Sequence, residues 1–196
     1  MMAARLQRQD AGDPEVTITS MRRRHLRSVL AIEGRVYPRP WTLGLFVSEL
    51  SLRASRLYLV ARVGATVVGY AGLMAVGGEG HVTTVAVDPA WHRAKVGTRL
   101  LLALAAHAAA RGITGLTLEV RMSNEAAQAL YARFGFVPAG VRRNYYIETN
   151  EDAMVMWAHG IDTEAYAQRL AELEAALPGA TVVDLAPATT TPTPRR

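Results

Sequence analysis

The sequence predicts an α/β fold: a mixed, mostly antiparallel central sheet flanked by helices, with an extra helix near the C-terminus. Three observations lead there. Residues 56–62 and 67–76 are β-branched and aromatic runs around a Gly64-Ala65 turn, a hairpin signal, and Gly77-Gly78-Glu79-Gly80 turns the chain into a third run at 82–87. That run stops at Asp88-Pro89, passes through the basic turn His92-Arg93-Ala94-Lys95 and enters a long Ala/Leu-rich helix around Val96-Gly97-Thr98. A strand at 116–120, an Ala-rich helix and two further strands, 137–143 and 153–159, complete the pattern.

Taken in order, residues 1–14 are polar and unpatterned and read as a flexible leader. Residues 16–20 alternate as a short strand. Leu26, Val29, Leu30, Glu33 and Val36 then fall at helical spacing within 21–37. Arg22-Arg23-Arg24-His25 sits on the first turn of that helix, where cations oppose the helix dipole, and with no interleaved aromatics it reads as a solvated face. Tyr37-Pro38-Arg39-Pro40-Trp41 breaks the helix, and Thr42 caps a second one carrying Leu45, Phe46, Glu49 and Leu50. After the long helix, Gly112 suits the residue just past its end. In the strand 116–120, Glu119 points to the opposite face from Leu118. Tyr166, Leu170, Leu173 and Leu177 share one face of an amphipathic helix in 161–178, expected to pack on the domain. Residues 179–196, biased to Pro and Thr, read as a disordered tail. The main domain is therefore expected over 15–160.

Composition narrows the function. A chain of 196 residues, half of them hydrophobic and 20% charged, is long enough for one well-filled core. Cysteine is absent, which removes disulfides, thiolate metal sites and thiol nucleophiles. Its five histidines show no metal-ligand spacing, so no metal is expected. No run approaches a membrane span and no signal-peptide region is present, so a cytoplasmic protein with no membrane partner is expected. The net charge of +5 permits an acidic partner without requiring one. Direct nucleic-acid binding is not expected.

A strand, a basic turn and a long helix set backbone N–H groups and a helix N-terminus beside cations, an arrangement suited to pyrophosphate. Here the turn resembles the acyl-coenzyme A loop of the GNAT N-acetyltransferases, Q/R-x-x-G-x-G/A, read as His92-Arg93-Ala94-Lys95-Val96-Gly97 with Lys95 where the first glycine usually stands. A second cluster is more specific. Leu118-Glu119-Val120-Arg121, Ser123-Asn124, Ala129-Leu130-Tyr131, Phe134-Gly135-Phe136 and Arg142-Arg143-Asn144-Tyr145-Tyr146 follow in the order found in RimI-type enzymes, the ribosomal-protein-alanine N-acetyltransferases of that superfamily. The resemblance runs from about residue 16 to residue 158, and it implies the GNAT fold, acetyl-CoA as co-substrate and a protein N-terminus as acceptor.

The resemblance also implies roles. Glu119 matches the family's general base and Tyr131 its general acid. The chemistry agrees: an N-terminal amine has a pKa of roughly 8, against about 10.4 for lysine, so one carboxylate acting directly or through water suffices. A structural carboxylate paired with Arg121 or Arg142 is the other reading of Glu119. Backbone groups of Val85, Ala86 and Val87 would pair with pantetheine, one N–H serving as oxyanion donor. Residues Arg93, Ala94, Lys95, Val96, Gly97 and Thr98 would hold the pyrophosphate. Asn124 would contact a pantetheine amide and Tyr131 the sulfur; alternatively Asn124 is only a helix cap and Tyr131 only core. Trp41 either borders the acceptor site, with Arg142, Asn144, Tyr145 and Tyr146, or packs beneath its turn.

The leading expectation is acetyl transfer from acetyl-CoA to the N-terminal alanine of a small-subunit ribosomal protein. Two alternatives stand beside it: acetylation of a small amine or lysine side chain, and a catalytically weakened GNAT fold kept as a binding module, motivated by Lys95.

Overall fold

A computed structural model describes residues 14–185. The expected leader (1–14) and the end of the expected tail (beyond 185) lie almost wholly outside these residues. The described chain forms one eight-stranded sheet: β1 (Val16–Ser20), β2 (Arg56–Val63), β3 (Thr66–Val76), β4 (Glu79–Val87), β5 (Gly115–Arg121), β6 (Val137–Tyr146), β7 (Glu151–His159) and β8 (Thr181–Asp184). Its order is β6-β7-β5-β4-β3-β2-β1-β8. Only the β4–β5 and β1–β8 pairs are parallel, so the sheet is mixed and mostly antiparallel as expected.

Helices cover both faces. A 3-10 turn, Arg23–His25, leads into α1 (Leu26–Val36), and α2 (Leu43–Ser51) follows. These two pack against Tyr58, Val60, Val67, Tyr70 and Ala86, mainly through Leu26, Val29, Ile32 and Phe46. On the other face lie α3 (Val96–Ala110), α4 (Glu125–Arg133) and α5 (Glu164–Ala175). Their core joins Leu100, Leu104, Phe134, Tyr166 and Leu170 to Ile18, Leu59, Ala61, Val68, Leu116 and Leu118. Adjacent residues 58 to 61 alternate between the two cores, as the two-residue period of a strand requires. Arg22, Arg23 and Arg24 are exposed, and the buried His25 beside them has its pKa lowered by burial and then by Arg24, Arg62 and Arg22.

Capping explains several boundaries. The Thr42 hydroxyl accepts from Leu45 N, and Gly112 takes φ 75° just past the last turn of α3. Leu170 and Tyr166 are buried, so α5 packs on the domain rather than standing free.

The expectation of a disordered stretch from residue 179 needs correction. Thr181–Asp184 forms β8, in register with Val16, Thr17, Ile18 and Thr19 of β1. Three β-branched residues meet an otherwise open sheet edge there, and backbone pairing outweighs the polar composition of the tail. The buried Arg99 of α3 donates from Nη2 to Pro178 O, tying the segment before β8 to the core. β7 pairs with β6 and also with β5, so it inserts between the two.

Candidate active site

The site lies where the sheet opens. β4 and β5 pair only at Glu79↔Gly115, Gly80↔Leu116 and His81↔Thr117, after which no rung joins them. A register shift between Gly72 and Leu73 leaves Thr83 as an extra residue of β4, and a bulge bends its strand. Residues 82–87 and 118–121 therefore border a gap through the sheet.

Glu119 sits on this gap. Leu118 and Val120 belong to the core under α3 and α4, so Glu119 between them projects toward the face that carries α1 and α2. Only 6% of its side chain is exposed. Its Oε2 lies 2.7 Å from His81 Nε2 and its Oε1 3.3 Å from Arg142 Nη2. Of the two alternative partners, Arg142 is therefore realised. Arg121 instead reaches Glu148 and Glu151, at 2.6 and 3.0 Å.

Tyr131 approaches from the other face on α4, packed against Phe136 with ring centroids 5.8 Å apart. Burial pushes its phenol pKa well above the usual value, and the phenols of Tyr37 and Tyr146 add to the shift. Tyr146 is pushed up to about 12, first by burial, and its hydroxyl donates to Glu119 O at 3.4 Å. Three phenols thus converge on the gap with Glu119. Asn124 caps α4, its Oδ1 accepting from Ala127 N at 3.1 Å, so its amide nitrogen is the part free for a ligand.

At the other end of the gap stands the basic turn. Lys95 is the N-cap of α3, with φ 58° and ψ 18°, and no side chain caps that helix, whereas α2, α4 and α5 carry Thr42, Asn124 and Thr163 caps. The first-turn N–H groups at Val96, Gly97 and Thr98 are left for an anion. Gly97 lies against Leu130 of α4, which sets the turn beside the Tyr131 helix. Arg93 also has positive φ, 68°. A side chain in this region costs roughly 1–2 kcal/mol, so Lys95 retains the backbone shape that glycine would adopt freely. We expect Lys95→Gly to raise the melting temperature by a few degrees, about 1 kcal/mol, while Lys95→Ala does not. Thermal unfolding of both variants checks this, and equal melting temperatures for the two would remove the strain assigned to Lys95.

On the side of the gap expected to face the acceptor, β6 departs from regular pairing between Arg142↔Ala153 and Tyr146↔Glu151. The bulge gives Asn144 φ 49°, bonds its N–H to Asp152 Oδ1 at 2.8 Å and turns Tyr146 over Glu119. Arg121 stacks on Tyr146, 3.8 Å from the ring centroid, and Arg142 lies 5.7 Å from the Tyr145 ring. Trp41 packs on Phe46 and Tyr58, with centroids 5.3 and 6.5 Å away, so the packing role read for it is realised. Its loop nevertheless nears the β6–β7 turn. The Glu148 carboxyl is held below its usual range by its own backbone N–H, then by Arg121, with Arg39 of the loop adding to the effect.

Sequence reasoning missed His81 and Tyr37. His81 meets Glu119 only because β4 and β5 run parallel at that rung, and nothing local marks it. Tyr37 ends α1, and its hydroxyl donates to Val85 O at 3.1 Å and lies 3.2 Å from Thr84 Oγ1. Its aromatic position directly before Pro38 was the one available signal.

Comparison with known proteins bears on the same residues. A family model described as Acetyltransferase (GNAT) family matches residues 26–136. The chain is 37% identical to the [ribosomal protein bS18]-alanine N-acetyltransferase of Escherichia coli strain K12 over 142 residues, 71% of this chain and 95% of that protein. It is 38% identical to the N-alpha-acetyltransferase RimI of Mycobacterium tuberculosis over 147 residues, 72% of this chain and 90% of that protein. The crystal structure of the Escherichia coli ribosomal-protein-S18-alanine N-acetyltransferase superposes with a TM-score of 0.68 at 35% identity, covering 74% of this chain and 94% of that one.

Proposed function

We propose a function from one premise: this chain belongs to the acetyltransferase (GNAT) family. It is an acetyl-CoA-dependent N-acetyltransferase. The acceptor we assign is the N-terminal α-amine of a protein, by likeness to its relatives the N-terminal alanine of ribosomal protein bS18. One observation carries the assignment. Glu119 is nearly buried on the sheet gap, with Arg142 Nη2 3.3 Å from its Oε1 and the Tyr146 hydroxyl on its carbonyl oxygen, so a carboxylate able to act as base lies against the segment that resembles the relatives' acceptor side.

In this reading Glu119 takes a proton from the acceptor ammonium, directly or through water. His81, 29% exposed against 6% for Glu119, receives that proton at Nε2 and releases one outward from Nδ1. Backbone N–H groups of β4 hold the carbonyl oxygen as it gains charge, Tyr131 donates its proton to the departing sulfur, and the second proton lost by the attacking nitrogen restores the phenol. The products are an N-acetylated chain end and a free thiol. Arg93 to Thr98 hold the pyrophosphate, and the Asn124 amide nitrogen contacts pantetheine. Such an acceptor places the reaction in the cytoplasm; no helix among the described residues is long and apolar enough to cross a membrane.

Turnover of acetyl-CoA against a panel of N-terminal peptides, with lysine-containing peptides and polyamines as controls, tests the assignment. Ala-initiated peptides are expected to have the highest kcat/KM. Turnover confined to blocked-N-terminus lysine peptides or to polyamines would overturn it.

A further inference from the structure

We propose that Tyr37 is a positioning residue which, with His92, closes the carbonyls on the free edge of β4 and leaves that edge presenting donors to the gap. This rests on the reading of the gap as the acetyl-transfer site. The register of β3 and β4 pairs Gly69 with Val87, Tyr70 with Ala86 and Ala71 with Val85, and Asp88 N donates to Val68 O at 2.9 Å. In an antiparallel ladder, residues that exchange hydrogen bonds with the partner alternate with residues whose N–H and C=O face away. Asp88 and Ala86 belong to the first set, so Val85 and Val87 turn both backbone groups toward the gap, while those of Ala86, expected to pair with pantetheine, are directed to β3 instead.

Each of the two outward carbonyls meets a side-chain donor. Val85 O accepts from the Tyr37 hydroxyl at 3.1 Å, and Val87 O lies 3.2 Å from His92 Nε2, where the ring nitrogen must donate. What the edge keeps open is the N–H of Val85 and the N–H of Val87. An uncapped carbonyl between two donors would set a lone pair beside any oxygen those donors hold, and repulsion would grow as that oxygen became negative. The Tyr37 proton removes that lone pair from the gap.

Tyr37 is well held for this task. Thr84 Oγ1 lies 3.2 Å from its hydroxyl, its own N–H donates to Glu33 O at 3.0 Å, and Pro38 ends the helix immediately after it. The same residue begins the 37–42 loop, so one phenol links the acceptor side to the strand expected to hold the thioester.

Tyr37→Phe keeps the ring and removes only the hydroxyl. We expect kcat to fall about tenfold, with KM for the acceptor within twofold, an unchanged unfolding midpoint and unchanged affinity for coenzyme A lacking the acetyl group. Tyr37→Ala, which also removes the ring, should in addition raise acceptor KM. A Tyr37→Phe enzyme with kcat within twofold of wild type overturns the proposal. So does a loss of activity that tracks a lowered unfolding midpoint or weaker binding of coenzyme A, since either marks a merely structural role. The measurement uses whichever amine the wild type accepts, so a wrong acceptor assignment leaves it decidable. A wild type that acetylates no amine overturns the site reading and this proposal together.

Discussion

Glu119→Gln is expected to lower kcat by roughly 10²–10⁴-fold at saturating substrates, with coenzyme affinity nearly unchanged. Glutamine keeps the volume and an oxygen that His81 can reach, but it cannot take a proton. Arg142 loses its counter-charge, yet its side chain is 58% exposed, so water replaces the partner and the fold is little affected. The pH dependence separates a base from a spacer. An N-terminal amine has a pKa of roughly 8, so near pH 9 most of the acceptor arrives already deprotonated and the deficit should shrink. A deficit that stays constant from pH 7 to 9.5 would indicate that Glu119 orients the acceptor and is not its base. Near-normal kcat at pH 7 would remove it from the chemistry.

Tyr131→Phe should slow turnover by a similar factor, roughly 10²–10⁴-fold, for a different reason. The departing thiolate has a conjugate acid of pKa near 8.5, and it leaves more readily when it gains a proton as the bond breaks. Burial, reinforced by the neighbouring phenols of Tyr37 and Tyr146, raises the Tyr131 pKa above the usual phenol value. The sign matters: a raised pKa keeps the acid form loaded to higher pH, so Tyr131 should cause no loss of kcat on the alkaline side up to about pH 10. The ring packs on Phe136 through carbon, and phenylalanine preserves that contact. Coenzyme A affinity and the unfolding midpoint should therefore hold. Turnover of Tyr131→Phe within threefold of wild type would end the acid role. An alkaline limb near pH 8 that disappears in this variant would mean the phenol ionises far more easily than its burial implies.

The two variants also report on opposite faces of one sheet. Glu119 projects toward α1 and α2, while Tyr131 belongs to the core beneath α3 and α4. The two side chains can meet one reacting centre only through the opening between β4 and β5. The opening has a local cause in the bulge at Thr83, which a sequence of β-branched residues does not advertise.

Much of this protein is written in short-range chemistry, and the sequence alone determined that part. The β-branched runs and their glycine turns, the Thr42 cap, Gly112 past α3 and the side of β5 on which Glu119 emerges all depend on neighbours a few residues away. The ordered motifs from Leu118 to Tyr146 also carried the family, because they preserve spacing along the chain. Tertiary structure alone decided what depends on register between distant strands. His81 joins Glu119 across 38 positions, Tyr37 reaches Val85 across 48, and β8 completes the sheet beside β1 from the far end of the chain. Periodicity states which face a residue takes but not which strand lies next to it. It also assigns Lys95 a loop without stating that its backbone is left-handed, since that conformation is imposed by the join between β4 and α3 and not by the preference of lysine.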